Sequence, residues 1–161
     1  NCMVSVAQFY LEFTVGESCG KCVPCRIGNK RMLEILHRIT DGEGTMDDLK
    51  MLKEMGGIIK DTALCGLGQT SPNPVLSTLD NFYDEYVEHV RQKKCRAHQC
   101  KPLVTYCISP ELCIGCHLCA KNCPADAIIG QPRRPHIINP EKCVRCGMCM
   151  SQCRHNAISI R

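Results

Sequence analysis

The sequence predicts two small units: a bundle of four α-helices over residues 1–92 and a compact α+β module over residues 108–161, with a linker at 93–107. Three observations support this division. Apolar residues recur at helical spacing through the first half. A pattern of four cysteines in the second half repeats after thirty residues. Sixteen cysteines and few aromatic residues in a chain of 161 indicate that something besides an apolar core helps to order it.

The cysteines are arranged for metal binding rather than for disulfides. Eleven of the sixteen fall in tight C-x-x-C-type clusters, and the N-terminal "NCMVSVAQFY" lacks the features of a secretory signal. A reducing cytoplasm is therefore expected, and the initial Asn1 suggests a fragment of a longer polypeptide. No apolar run approaches the roughly 18 residues needed to cross a bilayer, so no membrane is expected. The basic residues are spread out without interleaved aromatic residues, which argues against nucleic-acid binding.

Four segments of the first half are predicted to be helical. They are "CMVSVAQFYLEF", "KRMLEILHRI" ended by "DGEG", "MDDLKMLKEMGGIIK", and "PVLSTLDNFYDEYVEHV". Thr45 can cap the third helix in a variant of the capping box with Asp48, and Pro74 suits the first turn of the fourth. The fourth helix is predicted to bury one side, formed by Val75, Leu79, Phe82, Tyr86 and Val90.

The second half is built from two copies of one unit. Cys113, Cys116, Cys119 and Cys123 recur as Cys143, Cys146, Cys149 and Cys153. Short apolar stretches flank each set of cysteines and are predicted to be small strands. They are Tyr106 to Ile108, Ile128-Ile129, Ile137-Ile138 and Ile158 to Ile160.

The repeated cysteines match a known ligand spacing. "CIGCHLCAKNCP" is C-x2-C-x2-C-x3-C-P, the bacterial ferredoxin spacing, and "CVRCGMCMSQC" differs only by Arg154 in place of the proline. In this motif the fourth cysteine binds the other cluster. One 4Fe-4S cluster is thus expected on Cys113, Cys116, Cys119 and Cys153, and the other on Cys143, Cys146, Cys149 and Cys123. Two zinc knuckles are the alternative, but zinc sites usually use two separated C-x-x-C pairs.

Another triplet, Cys19, Cys22 and Cys25 in "ESCGKCVPCRIG", has no fourth cysteine nearby. Cys65 in "LCGLGQ" lies at the end of the predicted third helix, and an antiparallel bundle can return it to the start of the second.

These two motifs resemble the C-terminal iron-sulfur domain of the flavin- and NADH-binding subunit of respiratory complex I and of NAD-linked formate dehydrogenases and iron-only hydrogenases. The resemblance covers residues 1–92. "GQTSPNPVLSTL" and the appended ferredoxin module are more similar to the beta subunit of electron-bifurcating hydrogenases. The resemblance over residues 1–92 implies that Cys19, Cys22, Cys25 and Cys65 hold a third 4Fe-4S cluster. It also implies that the FMN and NAD sites lie upstream of these residues.

Four cysteines remain: Cys2, Cys95, Cys100 and Cys107. Cys95, His98, Cys100 and Cys107 form a set of three thiolates and one imidazole suited to structural zinc, which would make the linker a zinc-binding hinge. Free thiols, a Cys95–Cys100 disulfide and a merely surface-exposed His98 are alternatives. Cys2 is most simply a buried small apolar side chain.

The expected fold is therefore a small four-helix bundle with one cluster, followed by a two-cluster bacterial ferredoxin-like module. The expected function is electron relay between a flavin/NADH site and a hydrogenase subunit or ferredoxin, in a complex with a small 2Fe-2S subunit. The same relay in a formate dehydrogenase complex is one alternative, and a structural zinc-binding adaptor is another. His117 and His155 lie beside the cluster cysteines and can donate hydrogen bonds to sulfur, although exposed positions are expected for both.

Overall fold

The structure is a computed structural model and describes residues 1–160. The chain divides into two compact units, the first Asn1–Leu103 and the second beginning at Val104. The segment 93–107, predicted to be a linker, falls partly in each unit. Within residues 1–160, no helix combines the length and apolar character that a membrane span requires.

The first unit consists of helices joined by short turns. Its α-helices are α1 (Met3–Glu17), α2 (Asn29–Asp41), α3 (Met46–Thr62), α4 (Gly66–Thr70), α5 (Asn73–Asn81) and α6 (Tyr83–Val87). A π-helical turn at Pro24–Gly28 precedes α2, and a second at Glu88–Gln92 follows α6. A 3-10 turn covers Lys101–Leu103. Large buried side chains from α1, α2, α3 and α6, such as Leu11, Met32, Leu36, Leu52 and Tyr86, form the core.

The ends of α2 and α3 follow the predicted signals. Gly42 ends α2 in the left-handed conformation (φ 86°), and its N–H donates to the carbonyls of Arg38 and Ile39. Thr45 and Asp48 form a complete capping box at the start of α3. Both predictions are confirmed.

The predicted fourth helix is divided into α5 and α6. Phe82 breaks it with φ −132° and ψ 37°, which are not helical angles. The break turns Phe82 outward, where it is 41% exposed, while the Tyr86 hydroxyl lies 2.8 Å from Thr78 Oγ1 in the interior. The prediction that Phe82 lies on the buried side is wrong, and the first unit has more and shorter helices than a simple four-helix bundle.

The second unit has two small antiparallel sheets and two short helices. Strand β1 (Tyr106–Ile108) pairs with β4 (Ile158–Ile160), and β2 (Ile128–Ile129) pairs with β3 (Ile137–Ile138). All four strands lie where the sequence predicts them. Helices α7 (Leu118–Lys121) and α8 (Met148–Gln152) follow the cysteine loops. The small core contains Ile128 and Ile158 together with Cys119 and Cys149, so cysteine loops replace much of an ordinary apolar interior.

Candidate metal centres

Each repeat of the second unit contributes cysteines to two cavities. Around the first cavity lie Cys113, Cys116, Cys119 and Cys153. Around the second cavity lie Cys143, Cys146, Cys149 and Cys123. The structure thus groups three cysteines of one repeat with the fourth cysteine of the other, which is the crossed grouping expected from the sequence.

The surroundings of these sulfurs act on their charge in opposite directions. The N–H groups of Ala127 and Ala157 donate to Cys123 Sγ and Cys153 Sγ, each at 3.3 Å. Burial, followed by the negative charge of neighbouring thiols, raises the pKa of Cys119. Burial also raises the pKa of Cys149, although the Met150 amide counteracts it. Because several thiols close together resist ionising in a buried place, they favour a cationic metal centre that neutralises them.

Residues close to Cys65 in the chain contact the cysteine triplet of the first unit. The amide of Leu64, adjacent to Cys65, donates to the Cys22 sulfur and is the main cause of that thiol's lowered pKa. Gly68, in the helix that follows Cys65, packs against Cys25. A Cβ atom on Gly68 would lie 3.6 Å from Cys25 Sγ. The turn after α3 therefore brings Cys65 to the loop of Cys19, Cys22 and Cys25.

Hydrogen bonds fix the sulfur of Cys25. Asn29, fully buried at the start of α2, donates from Nδ2 to Cys25 Sγ at 3.4 Å, and Ser18 Oγ lies 3.3 Å from the same sulfur. Ser71 donates to Asn29 Oδ1 at 2.9 Å and so orients the amide. Such support of a ligand by surrounding polar groups is typical of metal sites.

A further set of ligand atoms, here called the tight group, lies inside the first unit. It consists of Cys2, His89, Cys95 and Cys100, all buried, with ligand atoms that lie within 4.8 Å of one another. Cys2 Sγ is 3.8 Å from Cys100 Sγ and 3.3 Å from His89 Nε2, and Cys100 Sγ is 3.4 Å from His89 Nε2. Tetrahedral zinc with Zn–S about 2.3 Å and Zn–N about 2.05 Å requires edges of about 3.8 Å and about 3.6 Å. The donor set and its spacing therefore fit a zinc ion.

Glu85 orients two members of the tight group. Its backbone carbonyl accepts a hydrogen bond from His89 Nδ1 at 2.7 Å, which leaves Nε2 facing the sulfurs of Cys2 and Cys100. Its carboxylate accepts the backbone N–H of Met3 at 3.0 Å, next to Cys2. Zinc-binding histidines almost always donate their other ring N–H in this way.

Arg96 holds the loop that carries Cys95 and Cys100. Its guanidinium donates to both carboxylate oxygens of Glu88, at 2.9 and 2.7 Å, and to Asp84 at 2.7 Å. These contacts lower the pKa values of Glu88 and Asp84. The loop is thereby fixed to the helical segment that carries His89.

The tight group differs from the predicted zinc set at two positions. Cys95 and Cys100 are brought together as expected, but His98 and Cys107 are not part of the group. His98 is exposed on a turn with φ 53°, and Cys107 lies in β1 of the second unit, opposite Ser159. Cys2 is buried, as predicted for a small apolar side chain, but its sulfur contacts a histidine and a thiol.

Sequence spacing could not reveal Cys2 and His89, because they are 87 residues apart and are joined only by tertiary packing. A local signal exists in the backbone. The two π-helical turns carry Cys25 and His89, and single π-turns are frequent at functional sites.

Residues 5–89, more than half of the chain, match the family described as the NADH-ubiquinone oxidoreductase-F iron-sulfur binding region. The chain belongs to this family. Residues 106–129 and 136–159 match the 4Fe-4S binding domain. The two matches of the second unit coincide with the two cysteine repeats. The resemblance inferred from the cysteine motifs is thus confirmed.

Relatives of this oxidoreductase-F iron-sulfur family include hydrogenase and formate dehydrogenase subunits. The NADP-reducing hydrogenase subunit HndC of Solidesulfovibrio fructosivorans is 60% identical over 136 residues, which is 84% of this chain and 28% of HndC. The NADP(+)-dependent formate dehydrogenase subunit beta of Moorella thermoacetica is 42% identical over 83 residues, 52% of this chain and 12% of that protein. A crystal structure of NAD+-reducing [NiFe]-hydrogenase in the H2-reduced state covers 56% of this chain and 16% of its own, with a TM-score of 0.54 and 26% identity. The chain therefore spans less than a third of the length of these relatives.

Proposed function

We propose that this chain is an electron relay in a multisubunit NAD(P)-linked oxidoreductase, with electrons held on three 4Fe-4S clusters. The observation that carries the proposal is the crossed grouping of cysteines around the first and second cavities. The proposed ligands of the third cluster are Cys19, Cys22, Cys25 and Cys65. A bound 4Fe-4S cluster takes up and releases single electrons with little movement of its atoms.

The residues of the chain would bind the clusters and surround them with apolar side chains. Cysteine thiolates bind each cluster, and the Ala127 and Ala157 amides stabilise the sulfur charge. Ile108, Leu118 and Ile158 line the first cavity with apolar side chains.

The relatives suggest where the electrons go. Similarity to HndC covers most of both units, so a hydrogenase complex is the favoured setting. In this proposal the electrons pass between an upstream site with FMN and NAD and a hydrogenase catalytic subunit, a small 2Fe-2S subunit or soluble ferredoxin, with electron bifurcation. The same relay in a formate dehydrogenase complex is the second candidate, supported by similarity over about half of the chain.

Dithionite reduction of the anaerobically reconstituted chain tests the relay. A brown protein that bleaches and develops up to about three paramagnetic spins per chain is expected, since each cluster accepts one electron. A colourless protein that holds zinc but gives no spins would instead identify a structural zinc-binding adaptor.

Isolation of the native complex separates the two settings. A tag on the endogenous protein should recover a hydrogenase catalytic subunit. Recovery of a molybdenum-containing formate dehydrogenase subunit in its place would overturn the hydrogenase assignment and leave the relay intact.

We also propose that the tight group binds one zinc ion. Three thiolates and a neutral imidazole form a closed tetrahedral set, which leaves no open position and so suits a structural role. The ion would tie the start of α1 to the end of the first unit, because Cys2 precedes α1 and Cys100 lies just before the unit's last turn. Anaerobic zinc analysis of the wild-type chain and of His89→Ala tests this assignment.

A further inference from the structure

A buried histidine beside the first cavity has an unused ring nitrogen. His136 is 2% exposed and lines the cavity of Cys113, Cys116, Cys119 and Cys153. Its Nε2 lies 2.8 Å from Nδ1 of His117, but its Nδ1 is buried without a hydrogen-bond partner among the described residues. Leaving a buried polar nitrogen unsatisfied is costly, and such groups are rare. This nitrogen therefore indicates a partner that the protein atoms do not provide.

Two close backbone approaches hold His136 in place. A Cβ atom on Gly130 would lie 2.6 Å from two atoms of the His136 ring, so only glycine leaves room for the imidazole. Gly115, in the first cysteine loop, has φ 72°, and a Cβ atom there would lie 2.4 Å from the Arg134 nitrogen. The Arg133 N–H also donates to the Gly115 carbonyl at 2.9 Å. The segment before His136 is thus seated directly on the loop that carries the cluster cysteines.

The chemistry of the cavity decides which nitrogen of His136 carries the hydrogen. Cysteine thiolates and inorganic sulfide accept hydrogen bonds and do not donate them. A bare lone pair on Nδ1 would therefore find no donor among the cluster sulfurs. The favourable tautomer has the hydrogen on Nδ1, and Nε2 then accepts a hydrogen bond from the Nδ1–H of His117.

The second cavity has a different side chain in the equivalent position. Tyr106 precedes His136 by thirty residues, which is the repeat distance, and it lines the second cavity. Its hydroxyl sits against Gly147, where a Cβ atom would lie 2.9 Å from the oxygen. Gly147 occupies the place of His117 in the other repeat. The first cavity thus has a buried histidine paired with a half-buried one, where the second has a half-buried tyrosine over a glycine.

We propose that His136 donates its Nδ1–H to the 4Fe-4S cluster of the first cavity and raises its reduction potential relative to that of the second. The inference rests on the proposed function, because it requires a cluster in the cavity. Adding one electron increases the negative charge on the cluster sulfurs, so a fixed N–H donor stabilises the reduced form more than the oxidised form. His136 is a positioning residue that makes two similar centres unequal.

The first test compares His136→Phe with His155→Phe in the full reconstituted chain. His155 also lines the first cavity but is exposed, so its removal should leave the potential unchanged. In His136→Phe, the reduced-to-oxidised ratio of one cluster at a fixed ambient potential should fall about tenfold, equivalent to about 59 mV for one electron. The midpoint is read from the paramagnetic signal during a redox titration. His136→Gln, which retains an N–H donor, should recover part of the change.

A second measurement covers the case in which His136→Phe fails to fold or to bind iron. Wild-type chain with ¹⁵N-labelled histidine is reduced, and pulsed paramagnetic resonance is used to detect coupling between a cluster and an imidazole nitrogen. The coupling should persist in His155→Phe. Two results would overturn this inference and leave the proposed function intact. One is a wild-type chain with full iron content but no nitrogen coupling, and the other is a His136→Phe variant with full iron content and unchanged midpoints. Absence of iron and sulfide from the first cavity overturns the proposed function as well.

Discussion

In the first unit, the four ligand atoms of the tight group lie within 4.8 Å of one another and all four residues are buried. In the second unit, each cysteine quartet lines a cavity and includes an exposed thiol, Cys116 or Cys146. A single ion requires ligand atoms that lie close to one another, whereas an inorganic cluster occupies the space between ligand atoms that lie farther apart. Under the proposed function, the cysteine side chain is therefore used in two ways, once around a single ion and elsewhere around a cluster.

The two kinds of site also differ in how charge is balanced. In the tight group, the hydrogen bond from Cys100 lowers the pKa of Cys2, and the same contact raises the pKa of Cys100. Burial opposes protonation of His89, but its contacts with Cys2 and the Glu85 carbonyl raise its pKa to about 9. Without a cation, the group thus keeps protons that a metal would displace. Metal binding should accordingly release protons and stabilise the first unit.

Loss of zinc is expected to have the largest effect. His89→Ala should abolish zinc binding and lower the free energy of unfolding of the first unit by about 4 kcal/mol when free zinc is about 1,000 times its Kd. Urea unfolding with and without added zinc measures the difference. His98→Ala is the matched control, because His98 is an exposed histidine on the same loop. Equal zinc loss in both variants would contradict the tight group.

Removal of the cysteine that one repeat contributes to the cavity of the other should prevent a cluster from binding there. Cys153→Ala is expected to lower iron by about four atoms per chain, since a cluster of this type needs four thiolates. Zinc content should not change, because the tight group lies in the other unit. Cys107→Ala provides the control, since Cys107 belongs to neither cavity quartet. Iron loss confined to Cys107→Ala would reverse the assignment.

Crowding the cysteine triplet of the first unit should have a moderate effect on the free energy of unfolding and on iron content. A Cβ atom on Gly68 would lie 2.7 Å from Ala63 Cβ and 3.3 Å from Cys25 Cβ, so Gly68→Ala should displace Cys25. The expected cost is about 1–3 kcal/mol of unfolding free energy, together with loss of iron from the first unit. Gly57→Ala, in α3 with open space around it, should instead stabilise the chain by up to about 1 kcal/mol. Thermal unfolding and iron analysis of both variants separate overpacking from a general glycine effect.

The cap of α3 lies outside both kinds of site and should show the smallest effect. Asp48→Ala is expected to cost about 1 kcal/mol and to change neither iron nor zinc. Although burial opposes ionisation, hydrogen bonds from Thr45 and Arg38 lower the pKa of Asp48. Its contribution is therefore fully present above the pKa of an unfolded aspartate and is lost as the pH falls through the lowered value. Unfolding at pH 7 and at acid pH, with the exposed neighbour Asp47→Ala as control, measures this contribution.

The sequence revealed the parts of the molecule that depend on local spacing. The strands β1 to β4 and the cap at Thr45 are repeated or short-range patterns, so periodicity and motif spacing were sufficient. The tight group depends on tertiary packing instead. Spacing along the chain favours His98 as the zinc ligand, whereas packing of distant segments brings His89 to Cys95 and Cys100. His136 was missed for the same reason, because its burial arises from close packing on Gly130 and on the loop of Gly115. The break at Phe82 carries no breaker residue that sequence rules detect.

Quantitation of iron, acid-labile sulfide and zinc in anaerobically prepared protein tests the central claim most directly. Three cluster sites and one zinc site predict about twelve iron, about twelve sulfide and one zinc per chain, with zinc alone missing from His89→Ala. Zinc in place of iron at the cysteine quartets, with no sulfide present, would contradict the account.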